Sequence, residues 1–112
     1  MLKITEKENM FVSAVIVSAG NSTRMGGINK QFLELDGAPV IVNTIAAFES
    51  SSIIDEIIIV TRESDIKDVT KIVEEYDFHK VSSIVKGGET RQLSVYEGVI
   101  NTSNIADLVV IH

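Results

Sequence analysis

Hydrophobic and polar positions change period several times along the chain, and each change predicts an element. Residues 11–18 (FVSAVIVS) form an almost unbroken apolar, β-branched run, the pattern of a strand buried on both faces. Residues 19–29 break the run and read as a loop; residues 32–37 (FLELDG) alternate, predicting a short extended piece that turns at Asp36-Gly37. Pro39 suits a first helical turn, with Ile41, Ile45 and Phe48 following at helical spacing. Residues 57–60 (IIIV) predict a second buried strand. From Ser64, a candidate N-cap, Ile66, Val69, Ile72, Val73 and Tyr76 make one helical stripe while Asp68, Lys71, Glu74 and Glu75 face away. Residues 81–85 predict a third strand, Gly87-Gly88 a turn with exposed amides, and Leu93, Tyr96 and Ile100 the apolar face of a third helix. Residues 108–111 predict a fourth strand, also buried.

Strands alternating with helices predict right-handed crossovers, hence a mostly parallel sheet with helices on both faces. One domain accounts for residues 11–112, preceded by a polar extension over residues 1–10 (MLKITEKENM). The chain stops one residue after the fourth strand, so the expectation is a truncated piece of a longer protein.

Composition narrows the function. Ten Lys and Arg against sixteen Asp and Glu leave a formal charge of −6, a global field that repels a long nucleic acid backbone. A small nucleotide remains compatible, because local cations and backbone N–H groups outweigh distant carboxylates screened by salt. The absence of Cys removes disulfides and thiolate chemistry. No apolar run approaches a membrane span, and the N-terminus lacks the apolar stretch of a signal peptide, so the expectation is a cytoplasmic protein with no membrane partner.

Two loops hold the candidate chemistry. After the first strand, Ser18-Ala19-Gly20 can bring backbone N–H groups close to a ligand, with Arg24 and Lys30 beyond it. An Arg fork and a compact Lys charge suit phosphate oxygens. The loop matches neither the P-loop nor the dinucleotide pattern, since Ser22 stands where the second glycine of G-x-G-x-x-G belongs. After the third strand comes KGGETRQLSV, with Ser94 about one turn inside the next helix and Arg91 nearby. In a parallel sheet both loops open on one edge, where they can wall a single pocket. His79 and the acidic group Glu74, Glu75 and Asp77 read as solvated surface.

These residues resemble the sugar-phosphate cytidylyltransferases. SAGNSTRMGGINKQFL is similar to their signature loop, A-G-x-x-x-R-M-x followed by K-Q-F-L, and GGETRQLSVYEGV to G-G-[DE]-x-R-x-x-S-V-x-x-G, in the same order and separation. The resemblance runs from Val12 to His112 and is strongest to the 2-C-methyl-D-erythritol 4-phosphate cytidylyltransferase family of isoprenoid precursor biosynthesis, with the ribitol-5-phosphate enzymes as near relatives. It implies a Rossmann-like nucleotide-diphospho-sugar transferase fold and CTP-dependent transfer of a cytidylyl group to a sugar phosphate, releasing pyrophosphate. By the resemblance, Ser18, Ala19 and Gly20 contact the nucleotide, largely through backbone, and Arg24 and Lys30 embrace the CTP phosphates as the catalytic cations. Gly88, Glu89 and Ser94 frame the cytosine, and Arg91 is a motif position in a supporting place. Asn29 stands where many members have Pro, and Ser18 where they usually have Ala. The resemblance further implies Mg²⁺, its Asp ligand expected beyond His112 in a His-Asp-x-x-Arg-Pro motif, and a homodimeric parent. On that reading the fragment alone is expected to be inactive. Three alternatives stay open: a ribitol-5-phosphate cytidylyltransferase, a non-catalytic nucleotide-binding module and a dinucleotide-binding domain.

Overall fold

The computed structural model describes residues 9–18 and 39–112 in full, and the backbone of residues 24–25, 28–29, 34–35 and 38. Four parallel strands form the central sheet: β1 (Val12–Val17), β6 (Glu56–Thr61), β7 (Val81–Lys86) and β8 (Leu108–Ile111), in the order β7-β6-β1-β8. The chain moves outward from β1 through β6 to β7, then crosses back to place β8 on the far side of β1. That reversal makes a switch point between β1 and β8, where open α/β sheets leave a crevice at the carboxyl ends of their strands.

Central strands and edge strands differ as the order requires. β1 and β6 are enclosed on both faces, with Val12, Ala14, Val15, Ile57, Ile58, Ile59 and Val60 fully buried. Among the described residues β8 has a single strand neighbour, and Leu108 and Ile111 are exposed, so the buried fourth strand expected from its apolar run is corrected to a half-covered edge. Two short antiparallel pairs lie between β1 and the first helix: β2 (Arg24–Met25) with β3 (Ile28–Asn29), and β4 (Glu34–Leu35) with β5 (Ala38–Pro39). The first pair replaces part of the loop expected over residues 19–29; the second agrees with the extended piece expected before residue 38.

Helix α1 (Val40–Glu49) follows Pro39, which occupies the N-cap position immediately before it. Helix α2 (Ile66–Glu75) is entered through a 3-10 turn at Glu63–Asp65, so Asp65, and not Ser64, stands at its N-cap. Its carboxylate takes the Arg62 Nε–H at 3.3 Å instead of capping a helical amide. Ile41, Val42 and Ile45 of α1 and Val69 of α2 pack on one sheet face against Val12, Ala14, Ile16, Ile57 and Ile59. Tyr76 leaves the expected stripe: it is exposed and stacks on Phe78, with ring centroids 5.8 Å apart. Asp77 follows the helix at φ 56°, a left-handed close that an Asp tolerates.

Helix α3 (Arg91–Ile100) lies over the other face, on Val15 and Val60, with the opposite side of its cylinder from the one its apolar residues suggest. Leu93, Tyr96 and Ile100 are 49%, 59% and 54% exposed, whereas Ser94 and Gly98 are buried. A Cβ on Gly98 would sit 2.3 Å from Val15 Cγ1 and 2.9 Å from Val60 Cγ2. Small residues at i and i+4 let the helix backbone approach the sheet closely, and that approach turns the larger side chains outward.

At the amino ends of the strands, remote from the crevice, Glu56 ties four segments together. Its carboxylate accepts from Ser13 Oγ at 2.6 Å, Ser82 Oγ at 3.0 Å and the Ser103 amide at 2.8 Å. Burial raises the pKa of this carboxyl, but the Ser103 amide and the Ser13 and Ser82 hydroxyls outweigh that and hold it below its ordinary value. No helix among the described residues is long and apolar enough to cross a membrane.

Candidate nucleotide site

The two loops singled out by sequence do leave the same sheet edge. Ser18 caps the carboxyl end of β1: its amide and its Oγ both donate to the Val60 carbonyl, at 2.7 and 3.1 Å, so a buried side chain locks the start of the first loop onto β6. Ala19, Gly20 and Lys30 lie outside the described residues, as does the side chain of Arg24; the Arg24 backbone pairs with Asn29 across the β2–β3 ladder.

The second loop is built to hold one shape. Gly87 donates its amide to the Thr61 carbonyl at 2.9 Å, and Gly88 donates its amide to Ser94 Oγ at 3.1 Å. Both amides are therefore engaged within the fold, which corrects the exposed pair expected at this turn. Ser94 Oγ also donates to the Gly88 carbonyl at 3.4 Å, so one buried hydroxyl clasps both ends of the Gly88 peptide frame. A Cβ on Gly88 would fall 2.4 Å from Leu93 Cβ, so the turn closes over the first turn of α3 only with glycine there. Thr90 completes the junction as N-cap, its Oγ1 accepting from the Leu93 amide at 3.1 Å. A Thr directly before the helical run is an N-cap signal that no motif singled out.

Among the described residues, cavities open along this edge. One, of about 270 Å³, lies at the switch point and is lined by Ser18 and Thr44 together with Arg91 and His112. His112 is held edge-on to Phe48, with centroids 5.5 Å apart. A second, of about 460 Å³, lies beyond β6 and β7 and is lined by Arg62, Glu63, Lys86, Gly87, Gly88 and Glu89. A third, of about 560 Å³, runs along Thr90, Arg91, Gln92 and Val95. The structure thus joins Ser18 with Arg91 in one cavity and Gly88 with Glu89 in the next, with Ser94 behind the wall between helix and turn. Arg62 and Thr44 are lining residues that no motif singled out, whereas Lys86 opens the KGGETRQLSV stretch and His112 is the His of the expected His-Asp-x-x-Arg-Pro motif. The cavities fall in the range of small-molecule sites, and their hydroxyls, cations and carboxylates suit a polar ligand more than an apolar one.

Comparison with known proteins places this edge in context. A family model for 2-C-methyl-D-erythritol 4-phosphate cytidylyltransferase (IspD) matches residues 12–112. The protein of that name from Dehalococcoides mccartyi is 47% identical over 91 residues, which cover 81% of this chain and 40% of the relative. The Clostridium botulinum (strain ATCC 19397) protein of the same name is 42% identical over 101 residues, 89% of this chain and 44% of the relative. The crystal structure of 4-diphosphocytidyl-2C-methyl-D-erythritol synthase from Anaerococcus prevotii superposes with a TM-score of 0.77 at 33% identity, covering 92% of this chain and 42% of that one. The chain therefore spans less than half the length of these relatives, and the part it spans is the sheet with both loops. With the family model matched from the first residue of β1 to His112, the chain belongs to the 2-C-methyl-D-erythritol 4-phosphate cytidylyltransferase family.

Proposed function

We propose that this chain is the nucleotide-binding part of a cytidylyltransferase that moves the cytidylyl group of CTP onto 2-C-methyl-D-erythritol 4-phosphate. An oxygen of the sugar phosphate attacks the α-phosphorus, the bond to the β-phosphate breaks, and pyrophosphate leaves. Little covalent work falls to the protein in such a transfer; holding the groups in line and offsetting charge supply most of the rate. Ser18, Ala19 and Gly20 contact the nucleotide, Arg24 and Lys30 take its phosphates, and Gly88, Glu89 and Ser94 frame the base. Arg91 and Ser18 line one cavity at the switch point, which supports a role for Arg91 on the phosphate side.

The observation that carries this reading is the convergence of Ser18 and the Gly87–Ser94 junction at one sheet edge, each locked by its own hydrogen bonds. The names of the relatives favour methylerythritol phosphate over ribitol phosphate as the acceptor. Mg²⁺ is the ion expected with a triphosphate. Among the described residues no group of three or more His, Asp or Glu side chains could hold a metal, and the Asp ligand is expected beyond His112, so no step is assigned to the ion.

Equilibrium titration of the chain with CTP, UTP, ATP and GTP tests the reading. CTP is expected to bind at least about tenfold more tightly than the purine nucleotides, a margin of about 1.4 kcal/mol. Equal binding of all four, or preference for NADH, contradicts it.

A further inference from the structure

We infer that His112 is a phosphate-binding residue, donating a ring N–H to a phosphate oxygen of the nucleotide in the switch-point cavity; this rests on the CTP reading above and deepens it. His112 follows directly on β8, and its main chain continues the ladder with β1. Its amide donates to the Val15 carbonyl at 2.9 Å, and its carbonyl accepts from the Val17 amide at 3.1 Å. The ring meets Phe48 of α1 edge-on, at an interplanar angle of 63°. Backbone and ring are thus both held in place, yet the residue is exposed and lines the cavity. Among the described residues neither ring nitrogen has a hydrogen-bond or ion-pair partner. An imidazole keeps at least one N–H donor in every protonation state, so a positioned donor stands at the cavity wall.

The surroundings select the kind of acceptor. Arg91 brings a cation to the same cavity, Ser18 and Thr44 bring hydroxyls, and no acidic side chain is among the described lining residues. The remaining lining is apolar, which strengthens the attraction of a cation for an anion. Farther along the edge the balance differs: Arg62 and Lys86 stand against Glu63 and Glu89, and Lys86 Nζ already faces Glu63 Oε2 at 3.4 Å. A phosphate gains less where the charges cancel than where Arg91 is unopposed, so the switch-point cavity suits the anionic end of the ligand. Thr44 and Phe48 are four residues apart on α1, hence on one helix face. One face of α1 therefore lines the cavity and holds the His112 ring at its mouth. His112 is a binding residue for the phosphate end and takes no part in the transfer itself.

The test titrates wild type, His112→Phe and His112→Gln with CTP, cytidine and inorganic tripolyphosphate at one fixed pH. His112→Phe keeps a ring against Phe48 but has no donor. It is expected to weaken CTP and tripolyphosphate about tenfold, the worth of one hydrogen bond to a charged group, and to leave cytidine within about twofold. His112→Gln, which restores an N–H donor, is expected to recover most of the loss. In wild type, adding tripolyphosphate is expected to move the ring-nitrogen NMR resonances of His112 and not those of His79, which precedes β7 at the opposite sheet edge. That readout needs no substitution, so it decides the matter if His112→Phe unfolds. Unmoved His112 nitrogens, or tripolyphosphate affinity unchanged in His112→Phe, overturn the assignment; so does an equal loss for cytidine, which marks a structural role. If wild type prefers CTP to the purine nucleotides while His112→Phe has no effect, the assignment falls alone. If wild type binds tripolyphosphate through His112 but prefers no base, the phosphate contact stands and the CTP reading falls.

Discussion

At the scale of single residues, much of the fold's specificity rests on small or polar side chains whose removal leaves a neighbour unpaired. Glu56 is the clearest: its three partners come from β1, β7 and the segment before β8, and a substitution strands buried donors. Glu56→Gln keeps the volume but loses the charge, and is expected to lower unfolding stability by about 1–3 kcal/mol in denaturant titration at neutral pH. Because the folded carboxyl sits below its ordinary value, its contribution is present above the unfolded pKa and is lost as pH falls through the folded one. The stability gap between wild type and Glu56→Gln is therefore expected to close as the pH is lowered through the carboxylate range; a gap independent of pH contradicts the linkage.

Gly88 and Gly98 separate site from fold at the same scale. Ala at position 98 drives a methyl into Val15 and Val60 side chains in the sheet, and is expected to cost about 1–3 kcal/mol of stability. Ala at position 88 meets Leu93 at the surface of the nucleotide edge, and is expected to displace the turn, weakening CTP by more than it lowers the melting temperature. Calorimetric melting and CTP titration of the two variants check the contrast.

At the scale of elements, α3 shows what a hydrophobic pattern can and cannot convey. Its spacing marks a helix correctly, yet Leu93, Tyr96 and Ile100 face outward, because the contact stripe is made of Ser94 and Gly98 and burial of a glycine leaves no hydrophobic signal. The strands were legible for the opposite reason: residues 12–17 and 56–61 bury nearly every side chain, so their composition reports burial directly. Ser64 was misplaced as a cap because a 3-10 turn precedes α2 and moves the helix start to Ile66. Substituting Tyr96 with Lys is expected to change stability by less than about 0.5 kcal/mol, whereas Thr90→Ala removes the N-cap of α3 and is expected to cost about 1 kcal/mol. Denaturant unfolding of the two variants, with far-ultraviolet circular dichroism as the probe, checks both.

At the scale of the whole molecule, the strand order does what neither loop does alone. With β1 and β6 adjacent and β7 beyond, the chain after β1 and the chain after β7 emerge on one edge, while Glu56 and its partners close the other. The two glycine-bearing loops were legible as motifs; Arg62 and Thr44, which line the cavities beside them, were not, since a lone cation after a strand or a hydroxyl on a helix matches no pattern. On the proposed function, the Ser18 and Gly87–Ser94 segments together hold one nucleotide. Amide chemical-shift mapping during CTP addition tests it most directly. Shifts concentrated at Ser18, Arg62 and residues 87–94, with Ser13, Glu56 and Ser103 unmoved, are the predicted result; no shifts, or shifts centred on the Glu56 edge, would contradict it.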